Sequence, residues 1–166
     1  LNLIAAWSPI ETLSLTLAGN YVDGKYSHND ACVPGFDING DAHCYSFNGN
    51  PLARQPKLRY MFTPKYTWPT SFGGITAWVT YTHVGQRYQD QTGIQPLGTY
   101  DTFAAGIVTD IGTNWQLRLQ GTNLTNEFAI TEGNTRVLGQ NAGINGVFMA
   151  RPLFGREVSL QAKYLF

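Results

Sequence analysis

The chain has 166 residues, of which 13% are charged and 13% aromatic, and its formal net charge is zero. Without clusters of lysine and arginine it is a poor partner for nucleic acid, and without a run of about 18 apolar residues it has no membrane-spanning helix. The low charge and the abundance of Gly, Tyr and Phe are typical of an all-β, lipid-facing protein in one domain. In strands that alternate between apolar and polar residues the hydropathy averages to near zero, as the mean hydropathy of -0.19 does here.

The first two strands are predicted directly from the pattern at the start of the chain. Residues 1–7 are apolar and strand-like, and the turn-forming residues 8–11 are expected to end this strand. Residues 12–26 alternate between apolar and polar, which predicts a long strand with two unlike faces. Because the chain opens without Met or a charged leader, we expect it to be a fragment whose first strand begins upstream.

A long loop is predicted for residues 27–55, which are rich in Asn, Asp, Gly and Pro. Both cysteines of the chain, Cys32 and Cys44, lie in it. In an oxidising compartment they are expected to form a disulfide, which contributes roughly 3 kcal/mol by restricting the unfolded chain.

Two metal sites are also considered in this loop, and the first of them is an alternative to the disulfide. Cys32 and Cys44 with His28 and His43 would supply four ligands, but their spacing matches a zinc site poorly. Residues 37–41 resemble a calcium loop in composition. They lack its full spacing and its distal Glu, so a plain Asn-Gly turn is favoured.

Five further strands follow, each with alternating polarity. They are predicted at residues 56–68, 74–87, 100–109, 115–123 and 158–166. In the last of them apolar or small residues alternate with polar ones, so the apolar positions would scatter around a helix. These apolar or small residues are Val158, Leu160, Ala162, Tyr164 and Phe166.

The lengths of the connections alternate along the predicted strands. Short turns are expected at 8–11, 69–73 and 110–114, and longer connections at 27–55, 88–98 and 124–154. In an antiparallel meander all short turns then share one rim, as in outer-membrane barrels. Aromatic residues near strand ends fit interfacial girdles. Seven strands cannot close an antiparallel barrel, so further strands are expected upstream.

Several short motifs carry a resemblance to a known family. Asn123-Leu124-Thr125-Asn126 follows a strand and precedes the last long loop, and Gly155-Arg156 opens a closing strand with a terminal aromatic. The same family resemblance extends to three upstream elements, which are Pro9, Arg54-Gln55-Pro56 and Gly85-Gln86-Arg87-Tyr88. Together they resemble the carboxy-terminal part of the barrel of a TonB-dependent outer-membrane receptor.

This resemblance implies a fold, a location and partners. Residues 1–166 would be the last seven strands of a 22-stranded plugged barrel in the bacterial outer membrane. The intact protein would bind a scarce nutrient such as a siderophore, cobalamin or saccharide, and import it with energy from TonB. The closing strand from Val158 to Phe166 would be recognised by the barrel-assembly machinery. No cofactor is implied, and the ligand stays open.

Three cations are candidates for contacts inside the barrel. By alternation Arg59, Arg118 and Lys163 lie on the polar face, where they would meet the plug or an anionic ligand. The alternative is that they pair with carboxylates on the barrel wall itself.

Two other classes of protein compete with the receptor. One is a small self-contained outer-membrane barrel that serves as an adhesin, a structural protein or a lipid-modifying enzyme. The other is a secreted β-sandwich that binds carbohydrate, in which Leu13, Leu15, Leu17, Leu117 and Leu119 would pack between two sheets. No G-x-S-x-G or H-E-x-x-H motif occurs in the sequence, so the chain is not expected to be an enzyme.

Overall fold

A computed structural model describes residues 1–27, 32–36, 39, 41–71, 73–134 and 149–166. In these ranges the chain forms strands and no helix, and therefore no helix that could cross a bilayer. The strands are β1 (Asn2–Ile10), β2 (Leu13–Tyr21), β3 (Cys32–Phe36), β4 (Ala42–Ser46), β5 (Leu58–Thr70), β6 (Gly73–Val84), β7 (Arg87–Tyr88), β8 (Pro96–Leu97), β9 (Tyr100–Ile111), β10 (Trp115–Thr122), β11 (Ile130–Asn134), β12 (Met149–Pro152) and β13 (Glu157–Tyr164).

Seven of these strands form one antiparallel sheet. Its order, β1-β2-β5-β6-β9-β10-β13, follows the chain, and this confirms the predicted seven-stranded meander. The remaining six strands pair as three small ribbons, β3-β4, β7-β8 and β11-β12. No second large sheet packs on it in the described ranges, so the β-sandwich alternative has no support.

The two faces of the sheet differ in chemistry, except on β1, where Ile4 and Ala6 are apolar residues on the polar side. Directly paired residues point to the same side, and Leu119 of β10 pairs with Leu160 of β13 on the apolar side. Leu119 is 47% exposed and Leu160 75% exposed, so neither lies in a dry core. We call this surface the apolar belt. It includes Leu3, Trp7, Leu13, Leu15, Leu17, Phe62, Tyr66, Trp68, Ile75, Val79, Phe103, Ile107, Ile111, Leu117, Leu119, Val158 and Leu160.

The strands run further than the sequence predicts at the end with the short turns. β1 continues through Pro9, where its register with β2 shifts. β5 continues through Pro69. Pro69 has no pairing partner on β2, because β2 begins at Leu13 and Leu13 pairs with Tyr66. The turns are therefore shorter than the sequence predicts. Each proline is tolerated in its strand because pairing with one neighbouring strand is absent or irregular there.

The three long connections are not the plain loops that the sequence predicts. Each contains one of the ribbons β3-β4, β7-β8 and β11-β12. Their strands are too short, and too rich in Gly, Pro and Asn, to show alternation. All three ribbons lie at one end of the sheet, which we call the long-loop rim, and the opposite end is the short-turn rim. The predicted alternation of long and short connections is confirmed by this arrangement.

Buried side chains gather at the long-loop rim. Six described residues have buried side chains, and all of them lie at the ends of long strands or in the long connections: Pro56, Val84, Arg87, Gln89, Leu97 and Asn123. A single sheet has no partner layer to bury its own side chains. The best-packed part of the chain is therefore the rim.

Candidate functional site

The first and second long connections are joined at the long-loop rim. The backbone N–H of Arg54 donates to the carbonyl oxygen of Tyr88 at 2.7 Å, and its Nε donates to that of Gln89 at 3.3 Å. The amide Nδ2 of Asn50 donates to the carbonyl oxygen of Thr92 at 2.7 Å. The structure thus brings together the Arg54-Gln55-Pro56 and Gly85-Gln86-Arg87-Tyr88 motifs of the sequence.

The second connection is joined in turn to the third. Nη2 of Arg87 donates to the carbonyl oxygen of Thr131 at 2.7 Å, and Oε1 of Gln89 accepts from the N–H of Gly133 at 2.7 Å. The guanidinium carbon of Arg87 lies 5.4 Å from the centre of the Tyr100 ring, within the range of a cation–π contact. Two nearly buried polar side chains therefore hold these connections together.

Arg87 is unusual because its charge is buried without a carboxylate partner. The residue is 6% exposed, it forms no ion pair with any described residue, and its Nη1 is buried without a hydrogen-bond partner. An incompletely paired buried charge is costly. Arg87 lines a cleft of about 500 Å³ together with Lys25, Gly49, Pro51, Gln55, Lys57, Leu58, Gly85, Gln86 and Tyr88.

Of the two lysines in this cleft, Lys57 already has a partner. Its Nζ lies 2.8 Å from Oδ1 of Asp23. The hydrogen bond and the charge of Lys57 lower the pKa of Asp23, and Asp23 raises the pKa of Lys57. A lowered carboxyl pKa stabilises the fold above the usual carboxyl range, and this is lost as pH falls through the folded pKa. Both side chains are about half exposed, so solvent screens the pair.

A disulfide between Cys32 and Cys44 closes the β3-β4 ribbon, with the Cα atoms 5.5 Å apart. Because both sulfur atoms are bonded to each other, neither is a thiolate for the alternative metal site. His28 and residues 37, 38 and 40 of the calcium-like segment lie outside the described residues. No group of three His, Cys, Asp or Glu in the part that the structure describes could hold a metal ion.

Removing the disulfide is expected to loosen this ribbon and leave the sheet intact. In the chain-entropy model a 12-residue separation corresponds to about 3 kcal/mol. Cys32→Ser/Cys44→Ser should therefore raise the rate of proteolytic cleavage within residues 27–50 at least tenfold. Limited proteolysis with mass spectrometry measures this, and the wild-type protein treated with dithiothreitol should match the variant. Unchanged cleavage in both samples would contradict the expectation.

The Asn123-Leu124-Thr125-Asn126 motif forms a tight junction after β10. Asn123 and Asn126 adopt left-handed backbone conformations, with φ of 46° and 54°, which Asn tolerates better than most residues. Nδ2 of Asn123 donates to the carbonyl oxygens of Glu127 and Phe154, each at 2.9 Å, and its Oδ1 accepts from the N–H of Glu127 at 2.8 Å. Oδ1 of Asn126 accepts from the N–H of Arg156 at 3.0 Å. The motif thus joins the two ends of the third connection.

The three predicted cations do not form one site. Arg59 lies on β5, Arg118 on β10 and Lys163 on β13, all on the side of the sheet opposite the apolar belt. Arg118 pairs with Gln161 across the strands, and Lys163 with Gln116. None of the three forms an ion pair with another described residue, and pairing with carboxylates elsewhere on the wall stays a prediction. Contact with a plug or ligand stays a prediction.

The closing strand contributes to the apolar belt along its whole length. Val158, Leu160, Ala162 and Tyr164 of β13 point to the belt side, opposite β10 residues 121, 119, 117 and 115. The Tyr164 ring lies 4.9 Å from that of Trp115 and 5.1 Å from that of Phe166. Recognition of this strand by an assembly machinery stays a prediction.

Solved structures resemble this sheet over nearly its whole length. The ferric yersiniabactin uptake receptor FyuA from Yersinia pestis matches 99% of the chain with a TM-score of 0.77 and 19% identity. The siderophore receptor PiuA from Acinetobacter baumannii matches 98% of the chain with a TM-score of 0.74 and 17% identity. BauA, the ferric preacinetobactin receptor of the same species, matches 98% of the chain with a TM-score of 0.64 and 16% identity. The sheet has the fold of a portion of the barrel of these receptors.

The predicted resemblance is thereby confirmed for the fold. The chain spans 23% of the length of FyuA and 21% of the lengths of PiuA and BauA. No protein-family profile and no curated protein matches the sequence.

Within this barrel fold, sequence reasoning missed the contacts between connections. Gly85-Gln86-Arg87-Tyr88 was recognisable as a motif, but the burial of Arg87 depends on Thr131, 44 residues away. Gln89 gave no signal in the sequence, although it is 3% exposed and bound to Gly133. Long-range contacts between irregular segments leave no periodic pattern.

Proposed function

We propose that the chain is the carboxy-terminal wall of an outer-membrane receptor that takes up a scarce small molecule with energy supplied through TonB. Support comes from the fold shared with three siderophore receptors. In this proposal the barrel-assembly machinery inserts the wall, lipid covers the apolar belt, and a plug from the same protein fills the bore.

The exposed apolar belt supports a membrane location. Soluble monomers rarely expose apolar patches beyond a few hundred Å². The belt extends across all seven strands, and aromatic side chains gather on it at the short-turn rim, as expected at a lipid–water interface. These side chains are Trp7, Tyr66, Trp68, Trp115 and Tyr164. In lipid, β1 and β13 must pair with further strands, because open sheet edges are not tolerated there.

The long-loop rim is the proposed ligand-binding end. The observation that carries this is the buried guanidinium of Arg87, with Nη1 unpaired, in the wall of a basic cleft. A guanidinium binds planar oxyanions through its fork of N–H groups. We therefore assign to this cleft a negatively charged metal chelate of the siderophore class.

Substitution of Arg87 tests this assignment. In the full-length protein Arg87→Gln is expected to weaken binding of an anionic ferric chelate by at least about tenfold, because a lost charged hydrogen bond costs about 1.5–3 kcal/mol. Arg87→Lys keeps the charge without the fork and should bind with intermediate affinity. Fluorescence quenching with a panel of ferric catecholates, phenolates and hydroxamates measures the dissociation constants.

Arg151→Gln is the matched control. Arg151 is an exposed arginine of β12 that pairs with Glu132 at 3.2 Å, so its loss should leave the dissociation constant unchanged. Heat-modifiable migration on gels confirms that each variant has folded as a barrel. Equal losses in Arg87→Gln and Arg151→Gln, or no saturable binding of any chelate by the wild type, would contradict the proposal.

A further inference from the structure

A polar cluster lies on the belt side of the sheet, close to the long-loop rim. Asp101 of β9 is at its centre, where Oδ1 accepts a hydrogen bond from the hydroxyl group of Tyr81 at 2.7 Å and lies 2.8 Å from Nδ1 of His83. The ring of Tyr60 stacks on that of His83, with the ring centres 5.0 Å apart, and lies 5.8 Å from the ring of Tyr81. We call these four residues the Asp101 cluster.

Asp101 departs from the chemistry of the face on which it lies. Within the seven described strands of the large sheet it is the only Asp, Glu, Lys or Arg on the belt side, and His83 is the only histidine there. Its side chain is 47% exposed. The pairing of β10 with β9 ends at Ala105, which leaves the place beside Asp101 open. The carboxylate is therefore accessible to the surroundings of the belt.

The Asp101 cluster lies at the opposite edge of the belt from the aromatic residues of the short-turn rim. Tyr60 and Trp68 are eight residues apart on β5, which is roughly 27 Å along the strand and roughly 20 Å along the normal of a bilayer at the usual strand tilt. The apolar band of an outer-membrane barrel is about 25 Å tall. The cluster is therefore placed where acyl chains give way to the headgroups of the leaflet at the long-loop rim.

The groups that the cluster leaves open are hydrogen-bond acceptors and an aromatic face. Among the described residues none donates to Oδ2 of Asp101, and none bonds to Nε2 of His83. Because Nδ1–H of His83 is directed at a carboxylate, Nε2 of the neutral ring is an acceptor. Tyr60 has His83 on one side and Gly19 on the other, so no side chain of β2 covers the second face of its ring.

This chemistry selects the type of headgroup. Anionic headgroups are recognised by clusters of lysine and arginine, and the belt side of the seven described strands carries neither. Carboxylate and imidazole acceptors beside an aromatic ring are complementary to an uncharged group with several hydroxyl donors and an apolar ring face. A sugar ring has this combination.

We propose that the Asp101 cluster binds the saccharide headgroup of a lipid in the leaflet at the long-loop rim. Sugar hydroxyl groups donate to Oδ2 of Asp101 and Nε2 of His83, and the sugar ring packs on Tyr60. The inference rests on the membrane location in the proposed function. The bonds from Tyr81 and His83 to Asp101 fix the carboxylate in advance, so that the headgroup meets a preformed site.

Photo-crosslinking with two competing lipids tests the inference in the full-length protein. The protein is reconstituted into vesicles of phosphatidylethanolamine with equal amounts of galactosyl diacylglycerol and phosphatidylglycerol, which have identical acyl chains. Benzoylphenylalanine is placed on the belt side at position 58, two residues from Tyr60, or at position 68 near the other rim. Mass spectrometry should find at least five times more galactosyl adduct than phosphatidylglycerol adduct at position 58, and equal amounts at position 68.

Substitutions of Asp101 then show whether the cluster causes this preference. Asp101→Ala and Asp101→Asn should both bring the adduct ratio at position 58 to within twofold of the ratio at position 68. Thr102→Ala is the matched control and should leave the ratio unchanged, because Thr102 follows Asp101 on β9 and points to the polar face, opposite Thr82. Heat-modifiable migration on gels shows that each variant has folded.

Three results would overturn the inference. They are equal amounts of the two adducts in the wild type at position 58, a ratio that neither substitution of Asp101 changes, and crosslinks from position 58 to a second protein chain only. Chelate binding by the same proteins is measured separately, and Asp101→Ala should bind chelate as the wild type does. A wild type that prefers the galactosyl lipid and binds no chelate would contradict the uptake function alone. Failure to insert into the vesicles would overturn both.

Discussion

Replacing Leu119 with arginine is expected to prevent stable insertion of the full-length protein into a membrane. Leu119 is 47% exposed and lies in the apolar belt directly opposite Leu160. An arginine on the lipid face of a barrel costs about 2–4 kcal/mol at the bilayer midplane. The variant should therefore be depleted at least tenfold from the outer-membrane fraction and should lose heat-modifiable migration on gels.

Gln120→Arg is the matched control for this experiment. Gln120 is the next residue of β10 and points to the polar face, so that an added charge there meets no lipid. Its variant should fractionate with the membrane as the wild type does. If both variants inserted equally well, the apolar belt would not be the surface that contacts lipid.

Asn123→Ala is expected to release the third long connection from the end of β10. Asn123 is 6% exposed, and its side chain makes three hydrogen bonds, to the backbone of Glu127 and Phe154. Each buried backbone group left unpaired costs about 1–3 kcal/mol, and alanine adds strain in a left-handed conformation. The junction should lose about 3 kcal/mol, and amide exchange at Glu127 should accelerate about 100-fold.

Hydrogen–deuterium exchange followed by mass spectrometry measures this change. Thr125→Ala is the control, because Thr125 is an exposed residue of the same motif, and its exchange should equal that of the wild type. Exchange in β5 should stay unchanged in both variants. Similar protection of Glu127 in Asn123→Ala and in the wild type would show that the backbone alone holds the junction.

The regular part of the fold was predictable because each strand has two unlike environments. In β2, Leu13, Leu15 and Leu17 alternate with Ser14 and Thr16, and period-2 alternation has one simple structural meaning. Strand ends were less predictable. Pro9 and Pro69 read as turn residues, yet both lie within strands, since each occupies a place where ladder pairing is incomplete.

The apolar side of the sheet also carries polar residues that the alternating pattern did not predict. His83 and Asp101 share a side with the belt, near the long-loop rim, and Asp101 accepts from Tyr81 at 2.7 Å and lies 2.8 Å from Nδ1 of His83. The sequence indicated only that His83 is a polar wall or rim residue. Its partner comes from the neighbouring strand, and a pairing register cannot be read from either strand alone.

Trp78 is the converse exception, an aromatic residue on the polar face. Its ring needs the missing side chain of Gly106 and the guanidinium of Arg118. The sequence placed Arg118 on the correct side, but nothing local to it indicated the two neighbours. The rim contacts of Arg54 and Arg87 were hidden for the same reason, because they join connections that are distant in the chain.

The ties between successive connections bear on how this protein changes over evolutionary time. Arg54 joins the first connection to the second by hydrogen bonds, and Arg87 joins the second to the third in the same way. Residues within one hydrogen-bonded network show non-additive effects when they are substituted. A mutation that changes the conformation of one connection therefore changes the effect of later mutations in the connections bound to it. Changes in one connection should therefore be accompanied by compensating substitutions in the other two.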